Sequence, residues 1–170
     1  QAEAAGAAMV MMMPPYHGTS LRADEAAIFE HFSEVAESIS IPIMVQDAPL
    51  SGVTLSVDLL ARLATALPQV GYFKIEMPNT ADKLRSLIAT APDVVVGPFD
   101  GEEGITLLAD LDAGATGTMP SALIPDLIKP VLEHHVIGDR EKAEVEYAQI
   151  LPAINFENRQ CGLRAAKAAM

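Results

Sequence analysis

In the otherwise apolar run Val70-Gly71-Tyr72-Phe73-Lys74-Ile75-Glu76-Met77-Pro78, an amine and a carboxylate stand two residues apart. In an extended strand that spacing projects both side chains from one face. If the face lines a closed interior, desolvation lowers the pKa of Lys74 and favours the neutral amine, the form that attacks a ketone. A Schiff base then becomes possible, and Glu76 could move protons at the carbon alpha to the iminium. The competing reading of the same pair is an exposed edge-strand ion pair, which contributes little.

Further candidates stand at the ends of apolar runs. Tyr16 and His17 follow the first, and Gln46 and Asp47 close the second. His17 reads first as a loop histidine with a satisfied hydrogen bond. Gly117-Thr118-Met119-Pro120-Ser121 ends the last run and could present free N–H groups to an anion, although Ser121 as a plain helix cap explains it too. Gly101-Glu102-Glu103-Gly104 reads as an acidic first helical turn or as a site loop. His17, His31, His134 and His135 show no ligand spacing with carboxylates, so no metal is expected.

These residues need elements to hold them. Apolar runs of strand length fall at 8–13, 42–46, 70–76, 94–97 and 115–119. Amphipathic stretches at 22–38, 54–67, 80–90 and 101–113 alternate with them, the first carrying Ile28, Phe29, Phe32, Val35 and Ile39 at helical spacing. Strict alternation predicts an α/β fold with parallel strands and crossover helices. Helices alone follow, at 124–136, 139–150 and from 154 to the end. Met13-Pro14-Pro15-Tyr16-His17-Gly18 holds no glycine-rich phosphate loop, which favours part of a closed barrel over an open doubly wound sheet. Gly97-Pro98-Phe99-Asp100-Gly101 and Asn79-Thr80-Ala81-Asp82 read as turn and cap signals, and Met9, Met11, Met12 and Met13 as core.

A net charge of −12 over 170 residues, with no basic run, argues against nucleic-acid and anionic-membrane partners and for small-molecule chemistry. The longest apolar run, 4–15, is shorter than the roughly 18–20 residues that span a bilayer. A single cysteine, Cys161, excludes an internal disulfide, fits a reducing cytoplasm and reads as an apolar filler. Gln1-Ala2-Glu3 has no signal-peptide character, and the chain is expected to begin inside a longer reading frame.

Pro14-Pro15-Tyr16, then Ile41-Pro42-Ile43-Met44-Val45-Gln46-Asp47-Ala48-Pro49, Phe73-Lys74-Ile75-Glu76 and Gly114-Ala115-Thr116-Gly117-Thr118-Met119-Pro120 follow in an order that resembles the dihydrodipicolinate synthase / N-acetylneuraminate lyase superfamily. The resemblance covers almost the whole chain. It implies a partial TIM (β/α)8 barrel: residues 1–121 would be strands four to eight, and 122–170 helix eight with a C-terminal helical extension of the same domain. Three strands and the family's Gly-Thr-Thr-Gly-Glu carboxylate loop would then be absent. Lys74 matches the Schiff-base lysine, so no cofactor is implied beyond that covalent link. Full-length members are commonly homotetramers.

Two departures refine the resemblance. Most members carry a proton-relaying tyrosine where this chain has Gln46, and a small residue where it has Glu76. Gln46, Lys74 and Glu76 together look like the 2-keto-3-deoxy-L-arabonate dehydratase branch. That implies catalysis by Lys74, Glu76 and Gln46 on a 2-keto-3-deoxy sugar acid, with Tyr16, His17, Asp47, Gly117 and Met119 expected near the substrate. Two alternatives stay open: a pyruvate-dependent aldolase or synthase of the same superfamily, and a catalytically inactive fragment with open sheet edges and an uncovered apolar face.

Overall fold

The computed structural model describes residues 1–17, 20–101 and 104–170. Five parallel strands form one sheet in the order β1 (Val10–Met12), β4 (Ile43–Asp47), β5 (Val70–Ile75), β6 (Gly97–Asp100), β7 (Gly117–Thr118). A two-stranded antiparallel hairpin, β2 (Tyr16–His17) with β3 (Leu21–Arg22), follows β1. The crossover helices are α1 (Glu25–Ser38), α2 (Val57–Ala66), α3 (Thr80–Thr90) and α4 (Leu107–Asp112). After β7 come only helices: α5 (Pro125–Val136), α6 (Arg140–Phe156), a π-helical turn Glu157–Cys161 and α7 (Leu163–Ala169).

Strand alternation divides the sheet. On the helix-covered side Val45, Phe73 and Ile75 are fully buried, packed with Phe32, Leu59, Leu63, Leu84 and Leu107. Burying such aliphatic and aromatic side chains contributes about 1.5–3 kcal/mol each before entropy is counted. The other face carries Met44, Gln46, Tyr72, Lys74, Phe99 and Gly117, which the register sets side by side: Gln46 opposite Lys74, Lys74 opposite Phe99, Phe99 opposite Gly117. Met11 lies on this face opposite Met44 and is 47% exposed, so it is not the core residue expected. Only Met12 and Val10 of β1 pack against the helices.

Several predicted boundaries move for identifiable reasons. The strand expected at 94–97 begins instead at Gly97, because the Val94 and Val95 N–H groups turn back to the Ala91 carbonyl that closes α3. Gly97-Pro98-Phe99-Asp100 is therefore strand and not turn. Pro98 is accommodated because its carbonyl accepts from Thr116 ahead of β7, where a proline N–H would have had no ladder partner yet. The hairpin takes the start of the helix expected from residue 22. Helix α1 begins at Glu25, after Asp24 caps the Ala27 N–H at 2.9 Å. Helix α2 likewise starts after Ser56, whose hydroxyl accepts from Leu59.

The helix expected over 101–113 is confined to Leu107–Asp112, after Gly104 takes a left-handed φ of 83°. Glu102 and Glu103, the expected acidic turn, lie outside the described residues. Helix α3 matches its expected span, but Asn79 is left-handed and gives no side-chain cap. Helix α6 runs unbroken through Pro152, where a break was expected. Cys161 is partly exposed and so no core filler. Among the described residues no helix is long and apolar enough to cross a membrane.

Candidate active site

Lys74 and Glu76 sit at the C-terminal end of β5, and their side chains meet with Nζ 2.5 Å from Oε1. Both are largely withdrawn from solvent, at 11% and 18% side-chain exposure. That removes the exposed-edge reading of the pair. Gln46, at the end of β4, donates its Nε2 to the same carboxylate oxygen at 3.0 Å. One oxygen of Glu76 thus receives an ammonium and an amide, while the two adjacent parallel strands fix the spacing through the Gln46–Lys74 register. The Glu76 N–H bonds the Asp47 carbonyl at 2.9 Å, so the pairing continues past the strand end and holds the Glu76 backbone.

Such a group can deliver an amine to a carbonyl carbon and hold a carboxylate within reach of the adjacent carbon. The amide cannot exchange a proton as a phenol would, but it can hold the carboxylate in one orientation.

Gly101 stands against the pair from the end of β6. A Cβ placed on it would stand 2.6 Å from the γ-carbons of both Lys74 and Glu76. Read from the residues alone, it is no more than a glycine at a strand end.

The remaining predicted residues fall in other places. Asp47 belongs to the opposite face of β4: it is fully buried, its Oδ2 pairs with Lys83 Nζ at 2.5 Å, and its Oδ1 accepts from the Leu55 N–H at 3.2 Å. Lys83 also donates to the Leu55 carbonyl. Asp47 is therefore withdrawn from the Lys74 side of the sheet, because strand alternation turns it toward α3. Tyr16 and His17 are exposed on the hairpin. Gly117 packs beneath the Phe99 ring, where a Cβ would meet Cε1 at 3.0 Å. Met119 is half-buried and its N–H bonds the Asp100 carbonyl at 3.0 Å.

Buried carboxylates elsewhere went unrecognised in the sequence, Asp100 and Glu157 among them. Asp100 accepts from Thr118 Oγ1 at 2.5 Å and joins the ends of β6 and β7. Glu157, in the π-helical turn, is bonded by the Ser121 hydroxyl. Ser121 is accordingly not the cap of α5, which starts at Pro125 without a side-chain cap. Tyr147 of α6 donates to the Gly104 and Ile105 carbonyls, and burial together with the Asp100 charge pushes its phenol well above the usual range. These contacts clamp the C-terminal helices to the loops around the strand ends.

The sequence model of the Dihydrodipicolinate synthetase family matches residues 1–170. The L-2-keto-3-deoxyarabonate dehydratase of Azospirillum brasilense is 55% identical over 170 residues, which is 100% of this chain and 55% of that protein. The 4-hydroxy-tetrahydrodipicolinate synthase of Corynebacterium diphtheriae is 30% identical over 169 residues, 98% of this chain and 53% of that one. Among solved structures, the 4-hydroxy-tetrahydrodipicolinate synthase of Methylacidiphilum fumariolicum SolV superimposes with a TM-score of 0.87 at 25% identity, covering 98% of this chain and 56% of that chain. The chain spans about half the length of the curated relatives it matches. Its α/β fold is a partial (β/α)8 barrel with C-terminal helices.

Proposed function

The chain belongs to the dihydrodipicolinate synthetase family, and from the group assembled at its strand ends we propose a Schiff-base-forming hydro-lyase acting on 2-keto-3-deoxy sugar acids. The proposed reaction converts 2-dehydro-3-deoxy-L-arabinonate to 2,5-dioxopentanoate and water, with no cofactor besides the lysine. The observation that carries this reading is the single carboxylate oxygen of Glu76 held by both Lys74, at 2.5 Å, and Gln46, at 3.0 Å. The 55% identity to a protein named L-2-keto-3-deoxyarabonate dehydratase supports the choice of substrate.

In this mechanism Lys74 Nζ adds to the C2 ketone and water leaves to give an iminium. Glu76 takes a proton from C3, and the electron pair moves into the iminium to form an enamine. The enamine pushes out the C4 hydroxyl, which leaves as water with the proton Glu76 has just acquired. Tautomerisation through C5 and hydrolysis of the iminium then free the product and the amine. Gln46 keeps the carboxylate turned toward the substrate throughout. A protein built to relay protons between two substrates would want a phenol at position 46, and an amide there favours elimination over carbon-carbon bond formation.

The test is Glu76→Gln. Dehydration of the sugar acid should fall by at least 10²-fold, the usual contribution of a positioned general base, while borohydride still traps an adduct at Lys74. Dehydration at the wild-type rate would remove Glu76 as the base.

A further inference from the structure

We propose that Gly101 is a positioning residue for the reacting pair: its missing side chain reserves the space in which the γ-carbons of Lys74 and Glu76 lie, and so lets the carboxylate fold back onto the amine. The inference rests on the reading of Lys74 as nucleophile and Glu76 as base. A Cβ on Gly101 would stand 2.6 Å from each of those γ-carbons and 3.0 Å from the Ile75 carbonyl oxygen. Carbon atoms rest at about 3.5–4.0 Å, so an alanine here would intrude by roughly an ångström on both side chains at once.

Conformation does not explain the glycine. Gly101 lies outside the left-handed region that Gly104 and Gly114 occupy, so any residue could adopt its φ. The backbone cannot easily retreat either. The Gly101 N–H bonds the Ile75 carbonyl at 3.0 Å and carries the β5–β6 pairing to the level of Glu76. The yielding parts are therefore the two side chains. Because the contact is at Cγ, relief requires rotation about χ1, which swings Nζ and the carboxylate by several times the displacement at Cγ. The separation of 2.5 Å between amine and carboxylate would not survive that rotation.

A glycine at 101 and a glutamate at 76 are thus one device. The longer side chain two residues after the lysine can lie over the neighbouring strand only where that strand presents no Cβ.

The experiment uses Gly101→Ala in three readouts. Dehydration should lose about 10²-fold or more in kcat, the scale of a 1 Å misplacement, with KM changing by less than about 3-fold. Borohydride trapping of pyruvate on Lys74 should slow in parallel, because pyruvate reports on the amine alone. The melting temperature is compared for Gly101→Ala alone and for the same change in a Lys74→Ala, Glu76→Ala background, where both γ-carbons are gone. The loss should shrink by at least half in that background, and if Gly101→Ala alone does not fold, the triple variant should. Wild-type kcat in Gly101→Ala, or an equal loss of stability in both backgrounds, would overturn the proposal. A wild-type protein that forms no adduct at Lys74 would instead sink the Schiff-base reading, which the stability comparison does not depend on.

Discussion

Replacing Lys83 by methionine isolates one charge from the core, because methionine keeps most of the aliphatic stem and deletes the ammonium. Asp47 would then hold a carboxylate at 0% exposure with the Leu55 N–H as its remaining donor. At 2.5 Å and an effective dielectric constant of 20, the attraction between the two charges is about 7 kcal/mol before desolvation is subtracted. Measured losses on removing one partner of a buried pair run at about 3–5 kcal/mol, since the orphaned charge keeps its desolvation cost. For a chain of 170 residues that corresponds to a drop of about 6–20 °C in melting temperature. Urea unfolding followed by far-UV circular dichroism gives the free energy directly. Adding Asp47→Asn to Lys83→Met should recover at least half of the loss, because the buried group is then neutral. A loss under about 1 kcal/mol for Lys83→Met, or no recovery in the double variant, would refute the assignment of Asp47 to a structural ion pair.

Two other outcomes follow from the same geometry. The Arg140 guanidinium, then His135, hold the Asp112 carboxyl below its ordinary range, so the unfolded chain binds the proton more readily than the folded one. Stability from this contact is therefore present above about pH 4 and lost as pH falls through the lowered value. Both side chains are about two-fifths exposed, which limits the effect to at most about 1 kcal/mol. Melting curves of wild type and Arg140→Ala should differ at pH 6 and draw together as pH falls below about 4; a constant gap would contradict the assignment. Gln46→Leu removes the amide that orients Glu76 and should lower dehydration kcat by about 10–100-fold, the equivalent of a hydrogen bond of 1.5–3 kcal/mol to a charged group, with pyruvate trapping on Lys74 little changed. Unaltered kcat would mean that Gln46 does not hold the base.

Elements with a strong period were readable, and so was the placement of residues that depends on one. The two-residue spacing of Lys74 and Glu76 places both on one strand face in any register, and α3 shows its span through Leu84 and Leu87. What the sequence hides is long-range pairing. Asp47 resembles a site residue because it closes a strand, and only Lys83, 36 residues later, reveals its role. Ser121 looks like a helix cap until Glu157, also 36 residues on, claims its hydroxyl. The β2–β3 hairpin has two residues per strand, too few for an alternation to register. The valines at 94–96 mimic a strand by composition, whereas the strand itself carries glycine and proline and is defined by its neighbours. Gly101 marks the same limit inside the site, since its meaning lies in the atoms it does not have.

In the proposed mechanism Lys74 forms an imine with a 2-keto acid while Glu76 does the proton transfer beside it. The most direct measurement is borohydride reduction of the protein with pyruvate or with 2-keto-3-deoxy-L-arabonate, followed by peptide mass spectrometry. A stable adduct is expected on the peptide containing Lys74 and none in Lys74→Ala. An adduct on another lysine, or no adduct with either 2-keto acid, would contradict it.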